Sequence, residues 1–309
     1  MKAVRIHKYG NNDVLEIENI PIPDYSEDDV LIKIYATSVN PVDWKIREGF
    51  FQAMIPHILP LTLGWDVSGV VANIGSKVKR FKIGDEVYTK PAIERNVRYA
   101  ENIAVKENIV DFKPKSITHL EAASIPLAGL TAWTALIKTA VIQPGQKVLI
   151  HAAAGGVGSL AVQIAREKGC HVIGTASEKN IGFVLNLGAH EAIDYRSQDF
   201  SLLLKDVDVV LDTIGGKTLD NSWKVLKEGG ILVSLAGQPD PETAKQFNVR
   251  SSSVFAQPDV SILEHLRNLI DTGNLRPVVG TVFTLEEIKE ALDLSQSGRA
   301  RGKIIIKII

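Results

Sequence analysis

The 309 residues include 35 basic and 36 acidic side chains, for a formal net charge of −1, and this balance offers no electrostatic footprint for nucleic acid or an anionic membrane. With 45% hydrophobic and 23% charged residues the composition is that of a globular protein, and no stretch approaches the roughly eighteen consecutive apolar residues of a membrane helix. The single cysteine, Cys170, excludes an internal disulfide.

The start, "MKAVRIHKYG", is charged and lacks a secretory apolar core, so a cytosolic protein is expected. Residues 1–112 hold the strand-like runs "KAVRI", "VLIKIYA", "VSGVVANIG", "GDEVYT" and "ENIAV". Pro21, Pro23, Pro41, Pro56, Pro60 and several glycines punctuate them, which predicts a small antiparallel or barrel-like domain. The segment "SITHLEAASIPLAGLTAWTALIKTA" reads as helix with a break at Pro-Leu-Ala-Gly.

From Val148 to Ser177 the chain reads strand, glycine turn, helix, strand: "VLIHAAAGGVGSLAVQIAREKGCHVIGTAS". Val148–Ile150 form a buried strand, Leu160, Val162, Ile164 and Ala165 give an apolar helix, Gly169 closes it, and Val172–Thr175 form the next strand. Cys170, between helix and strand, reads as a packing residue. This is the context that a dinucleotide fingerprint requires. Gly155, Gly156, Val157 and Gly158 would let the backbone approach a pyrophosphate, which the N-terminus of the helix attracts. The pattern departs from GxGxxG at Ala153, where a small side chain makes the turn at some steric cost.

Downstream, "EAIDY", "VDVVLDTIGG" and "GGILVSLAG" alternate with helical or glycine-marked segments, as in a doubly wound parallel sheet. Ligands of such sheets lie beyond the carboxyl ends of the strands, which places Thr213–Gly216, Ile214 among them, and Leu235, Ala236 and Gly237 beside a cofactor. After residue 257 come a helix near 259–272, a strand around Val278–Phe283, a helix in "TLEEIKEALDLSQSG" opened by a Thr284/Glu287 capping box, and a terminal strand, "KIIIKII". The organisation is one cofactor domain inserted between two pieces of another.

The motifs "NPVDWK", "LGWDVSGVV", "IGSKVKRFKIGDEVY", "AASIPLAGLTAW", "AAAGGVG", "LGAHEAIDY" and "RGKIIIKI" resemble, in order and over nearly the full length, the medium-chain dehydrogenase/reductase superfamily. Within it the chain resembles the zinc-independent quinone oxidoreductase and enone reductase branch. The resemblance implies an α/β fold with a GroES-like, β-barrel catalytic domain (1–117 and 258–309), a Rossmann cofactor domain (118–257) and an active-site cleft where they meet. It also implies NADPH-dependent reduction of small-molecule quinones or α,β-unsaturated carbonyls, and a homodimer. An enoyl-thioester reductase and a non-catalytic NADPH-binding scaffold are the alternatives.

Zinc relatives need cysteine and histidine ligands. By resemblance Asn40 stands at their cysteine position and Gly64, Trp65 and Asp66 replace their Gly-His-Glu motif, so no metal is expected. Ala176 occupies the place of the acidic residue that holds ribose hydroxyls in NAD-binding folds. Ser177, Lys179 and, by resemblance, Tyr195 suit a 2′-phosphate, with Arg196 as a weaker neighbour; Glu178, were it turned to the ribose, would favour NADH. Resemblance further implies that Lys45 polarises the acceptor carbonyl or contacts the nicotinamide ribose from the loop of Asn40, Asp43 and Trp44, with Asn40 a further catalytic residue. It places Tyr88 as a phenolic donor, Thr131 near the nicotinamide, and Arg301 and Lys303 as further cofactor contacts. Acceptor shape is assigned to loops around 45–60 and 255–260.

Overall fold

The computed structural model describes residues 1–53, 58–92 and 99–309; Pro56 and part of the 45–60 loop lie outside the described residues. The chain divides into two compact units. The first contains residues 1–127, 257–273 and 277–309, and the second residues 128–256 and 274–276. The expected boundary at 117/118 therefore falls ten residues before the end of the first segment, because the short helix after it packs with the first unit.

The first unit opens with β1 (Lys2–Ile6), β2 (Leu15–Asn19) and β3 (Asp29–Val39), followed by helix α1 (Pro41–Arg47). Next come β4 (Leu61–Thr62), β5 (Val67–Ile74), β6 (Glu86–Thr89), β7 (Asn102–Lys106), β8 (Val110–Phe112) and α2 (His119–Ala122). Strand β3, eleven residues long, is the hub: it pairs antiparallel with β5 and with β7, and bulges at Leu31/Ile32 and Ile34/Ala36 bend it. Val30, Ile32 and Ile34 alternate into a core with Val67, Val71, Val87, Ile103 and Val105, the period-two burial that makes these runs strands.

Helix α3 (Pro126–Trp133) leads into the second unit. The expected Pro-Leu-Ala-Gly break is displaced: Pro126 begins α3, where its missing N–H is harmless, and the interruption lies at Ala123–Ile125. There follow β9 (Lys147–Ile150), α4 (Gly156–Glu167), β10 (His171–Ala176), α5 (Ile181–Asn186), β11 (Glu191–Asp194), α6 (Phe200–Leu203), β12 (Val207–Asp212), α7 (Lys217–Ser222), β13 (Leu226–Ser234), α8 (Pro241–Gln246) and β14 (Arg250–Ser253). The six strands are parallel in the order β11-β10-β9-β12-β13-β14, so the chain reverses direction across the sheet between β9 and β12. Leu149, Ile173, Val210 and Leu232 pack with Trp223 and Phe200 on one face.

The first unit is completed by α9 (Val260–Asp271), β15 (Val279–Thr284), α10 (Ile288–Gln296) and β16 (Lys303–Lys307). Thr284 and Glu287 form the expected capping box, and β16 pairs with the end of β3, Ile304 opposite Val39. Among the described residues no helix is long and apolar enough to cross a membrane.

Candidate active site

In the first unit the functional side chains gather where β3 hands over to α1. Asn40 is extended (ψ 151°) and Pro41 starts the helix, with Asp43 at its third position accepting the Asn40 N–H at 2.7 Å. Asp43 also accepts the Tyr99 hydroxyl at 2.6 Å and the Gly64 N–H at 3.1 Å, so one carboxylate joins α1 to two other segments. The Asn40 side chain does not cap the helix. Its Nδ2 donates to Asp66 Oδ2 at 2.7 Å and its Oδ1 accepts from Lys303 Nζ at 2.5 Å.

Asp66 is wholly buried. Its Oδ2 also accepts the Ser38 hydroxyl and lies 3.3 Å from Lys303 Nζ, and its Oδ1 accepts the Leu127 N–H at 2.6 Å. Lys303 Nζ completes its set with the Val39 carbonyl at 3.2 Å. Lys303 is thus buried among three internal acceptors, which corrects the expectation that it contacts cofactor. Both ends of the Asn40 amide are likewise engaged internally. Tyr88 is corrected too: it is fully buried, and its hydroxyl donates to the Leu263 carbonyl of α9 at 2.6 Å. That bond ties β6 to α9 and commits the hydroxyl proton to a backbone carbonyl, while burial holds the phenol well above the usual range.

Lys45 is half-buried on α1, with Nζ 5.6 Å from the centre of the Trp44 ring and no hydrogen bond or ion pair from the ammonium among the described residues. Trp44 in turn meets Phe50 edge-on at 6.1 Å. An ammonium on an aromatic wall retains donors for another oxygen. Arg301 is exposed in the turn before β16.

Burial pushes the Asp43 carboxyl up to about 7, against the hydrogen bonds of Tyr99 and Asn40 and the charge of Lys303, with the Asp66 charge adding to the rise. A carboxyl raised in the folded state binds a proton that the unfolded chain releases, so its contribution to stability is largest below about pH 4 and declines as pH rises to about 7. The slope is on the order of 1 kcal/mol per pH unit. Denaturant melts of wild type and Asp43→Asn across pH 5 to 8 should therefore differ in slope, the variant being flatter; parallel curves would refute this assignment.

In the second unit Gly155 begins α4 without any side-chain cap, leaving the N–H groups of the first turn to an anion. A Cβ on Gly158 would lie 2.3 Å from the Ala152 carbonyl oxygen, so only glycine lets the helix start this close to the strand exit. The left-handed residue of the turn is Ala152 (φ +48°), which moves the expected steric cost from Ala153. Ala153 is buried instead against Gly174, where a Cβ would meet its methyl at 2.7 Å. These features fit a pyrophosphate cradle, with the half-buried Val157 between its glycines.

Ala176, buried, ends β10 directly beside Asp194 of β11, so Ser177 and Tyr195 leave adjacent strand ends. Tyr195 is exposed with the Arg196 guanidinium 5.8 Å from its ring centre; Glu178 and Lys179 are exposed in the turn that Ser177 opens. Beyond β12, Asp212 accepts the N–H groups of Ile214 and Gly215, both at 3.0 Å, and the Ser234 hydroxyl at 2.9 Å. Leu235 N–H donates to the Asp212 carbonyl at 2.8 Å, and Ala236 and Gly237 follow exposed. Thr131 is half-buried on α3.

Sequence reasoning missed the support under this turn. His151, buried, lies 3.0 Å from Ser222 Oγ and 3.1 Å from Thr175 Oγ. Ser222 already donates to the Thr218 carbonyl, so His151 Nε2 must carry the proton and Nδ1 must accept from Thr175. Burial lowers the imidazole's affinity for a second proton, and the neutral ring braces the strand exit. No sequence signal marks this; the histidine's partners lie 24 and 71 residues away.

A parallel sheet of this order with a glycine turn at its first helix defines a dinucleotide-binding protein of the dehydrogenase type. Residues 26–115 match the family model for the alcohol dehydrogenase GroES-like domain, and residues 187–306 match that described as zinc-binding dehydrogenase. The chain is 39% identical to the NADPH-dependent alkenal/one oxidoreductase, chloroplastic, of Arabidopsis thaliana, over 99% of this chain and 79% of that protein. It superposes on the quinone oxidoreductase from Coxiella burnetii with TM-score 0.93 at 37% identity, covering 100% and 99% of the two chains. On the Escherichia coli quinone oxidoreductase complexed with NADPH the TM-score is 0.91 at 26% identity, with 100% of both chains covered. The chain belongs to the quinone oxidoreductase branch of the medium-chain dehydrogenase/reductase family. At the positions likened to the cysteine and histidine ligands stand the Asn40 amide, already engaged by Asp66 and Lys303, and the indole of Trp65, a set that does not fit Zn²⁺.

Proposed function

We propose that the protein is an NADPH-dependent reductase of small quinones and α,β-unsaturated carbonyls that works without a metal. The carrying observation is the Asn40–Asp66–Lys303 cluster: an amide and a carboxylate committed to an ammonium are poorly suited to hold a Lewis acid, which favours an acceptor that delocalises incoming electrons through conjugation. The names of the relatives favour the same acceptors and cofactor. When bound, NADPH supplies the hydride. The chain's residues then have separate tasks. Gly155–Gly158 take the pyrophosphate, Ser177, Lys179 and Tyr195 hold the 2′-phosphate, and Thr131, Ile214 and Leu235–Gly237 line the nucleotide, with Arg301 as an outer contact. Lys45 donates a hydrogen bond to the acceptor oxygen as negative charge develops there. The second unit serves as the cofactor domain, and the protein acts as a cytosolic homodimer.

The test follows NADPH and NADH oxidation against quinones, enones, alkenals and acyl thioesters, with and without chelator. NADPH turnover of quinones or enones, insensitive to chelation, is expected. Binding of NADPH without turnover of any acceptor would favour a scaffold, and thioester preference an enoyl-thioester reductase. Lys179→Ala should weaken NADPH binding about tenfold and spare NADH, since it removes a charged partner of the extra phosphate alone. Equal losses for both cofactors would refute that role.

A further inference from the structure

We propose that the Lys303 ammonium is a built-in cation that takes the place of a divalent metal in the first unit, holding Asn40 and Asp66 together and so fixing the start of α1. Asn40, at the position likened to the zinc-ligand cysteine, and Asp66, which closes the Gly64-Trp65-Asp66 stretch likened to Gly-His-Glu, are joined directly, Nδ2 to Oδ2 at 2.7 Å, and the ammonium touches both side chains. Every other hydrogen-bonding partner of the Asp66 carboxylate is a donor: the Ser38 hydroxyl and the Leu127 N–H. Its buried carboxyl group has a single ionic partner among the described residues, the Lys303 ammonium. The same ammonium fixes which way the Asn40 amide faces, because Oδ1 must accept from Lys303 while Nδ2 donates to Asp66. Asn40 is also the residue from which α1 starts, its N–H held by Asp43. Lys45 stands five residues further on, less than two turns into the same rigid element. A tethered cation has no exchange with solvent, so this arrangement is indifferent to metal supply. Lys303 is thus a positioning residue for α1.

The test uses Lys303→Met and Lys303→Met/Asp66→Asn, the second removing both charges, in protein labelled with 5-fluorotryptophan. Of the four tryptophans, Trp44 lies on α1 and Trp65 adjoins Asp66, while Trp133 and Trp223 belong to the second unit. Lys303→Met should shift or broaden the Trp44 and Trp65 fluorine signals and leave the other two in place, and the double variant should return Trp44 towards its wild-type position. An unmoved Trp44 signal in Lys303→Met overturns the proposal. So does stoichiometric uptake of Co²⁺ by the wild-type protein with the absorption of a tetrahedral site. If Lys303→Met does not fold but the double variant does, charge compensation of Asp66 is supported; if neither folds, the ammonium serves folding rather than placement and the proposal fails.

A kinetic arm rests on the Lys45 role proposed above. Lys303→Met should lower kcat at least tenfold with little change in the KM for NADPH, and adding it to Lys45→Met should cause no further loss. Multiplying losses overturn the link to Lys45. If Lys45→Met alone leaves turnover intact, it is the functional reading of Lys45 that fails, and the fluorine signals still judge Lys303.

Discussion

Lys45→Met is expected to lower turnover of an enone about a hundredfold, equivalent to ~3 kcal/mol of lost transition-state stabilisation. The side chain is half-buried against Trp44, so methionine preserves most of its packing and removes only the charge and the donors. An oxygen that becomes anionic during reduction gains more from an ammonium than the neutral carbonyl did, so kcat should fall more than KM rises. A quinone, more electrophilic at the outset, should lose less than an enone. NADPH affinity, measured by fluorescence titration, should stay within a few-fold of wild type, which separates loss of chemistry from loss of cofactor. Near-wild-type turnover of both acceptor classes by Lys45→Met would assign electrophilic assistance to another group, such as a backbone N–H or water.

The second large effect is expected at the glycine turn. Gly158→Ala places a methyl carbon 2.3 Å from the Ala152 carbonyl oxygen and 2.9 Å from both Ala152 C and Ala153 Cα, all backbone atoms. No rotamer relieves such a contact. The turn must open, although Ala152 is already held at positive φ and Ala153 is packed on Gly174. Displacement of the first turn of α4 misdirects the N–H groups that would meet a pyrophosphate, so NADPH binding should weaken at least about a hundredfold, with a destabilisation of roughly 1–3 kcal/mol from overpacking. Gly155→Ala is the control: its Cβ meets only the Ala152 oxygen, at 3.2 Å, and should be far milder. NADPH affinity of Gly158→Ala within threefold of wild type would remove the turn from the binding site.

Much of the fold was legible because the signals that encode it act over a few residues. "KAVRI" and "VLIKIYA" alternate or run apolar and became β1 and β3; Thr284 with Glu287 capped its helix; and the glycine turn between β9 and α4 lay where strand gave way to helical spacing. β14, Arg250–Ser253, was not legible: "RSSS" has no apolar run, and it becomes a strand by pairing with β13 at the sheet edge. The glycine turn and the strand ends on which the proposed nucleotide contacts rest followed from local pattern for the same reason that the strands did. The acceptor half did not. Tyr88 follows "GDEV" in either reading, and only the arrival of Leu263, 175 residues later, engages its hydroxyl. Lys303 sits in an apolar terminal strand that gives no hint of Asn40, 263 residues earlier, or of Asp66. The sequence by itself determined the α/β class, the dinucleotide turn and the shortage of thiolates for zinc, all properties of residue types and short spacings. Only the tertiary structure decided which buried polar groups meet, because a desolvated amide, carboxylate or ammonium must find its partner among whatever segments the folded chain packs around it.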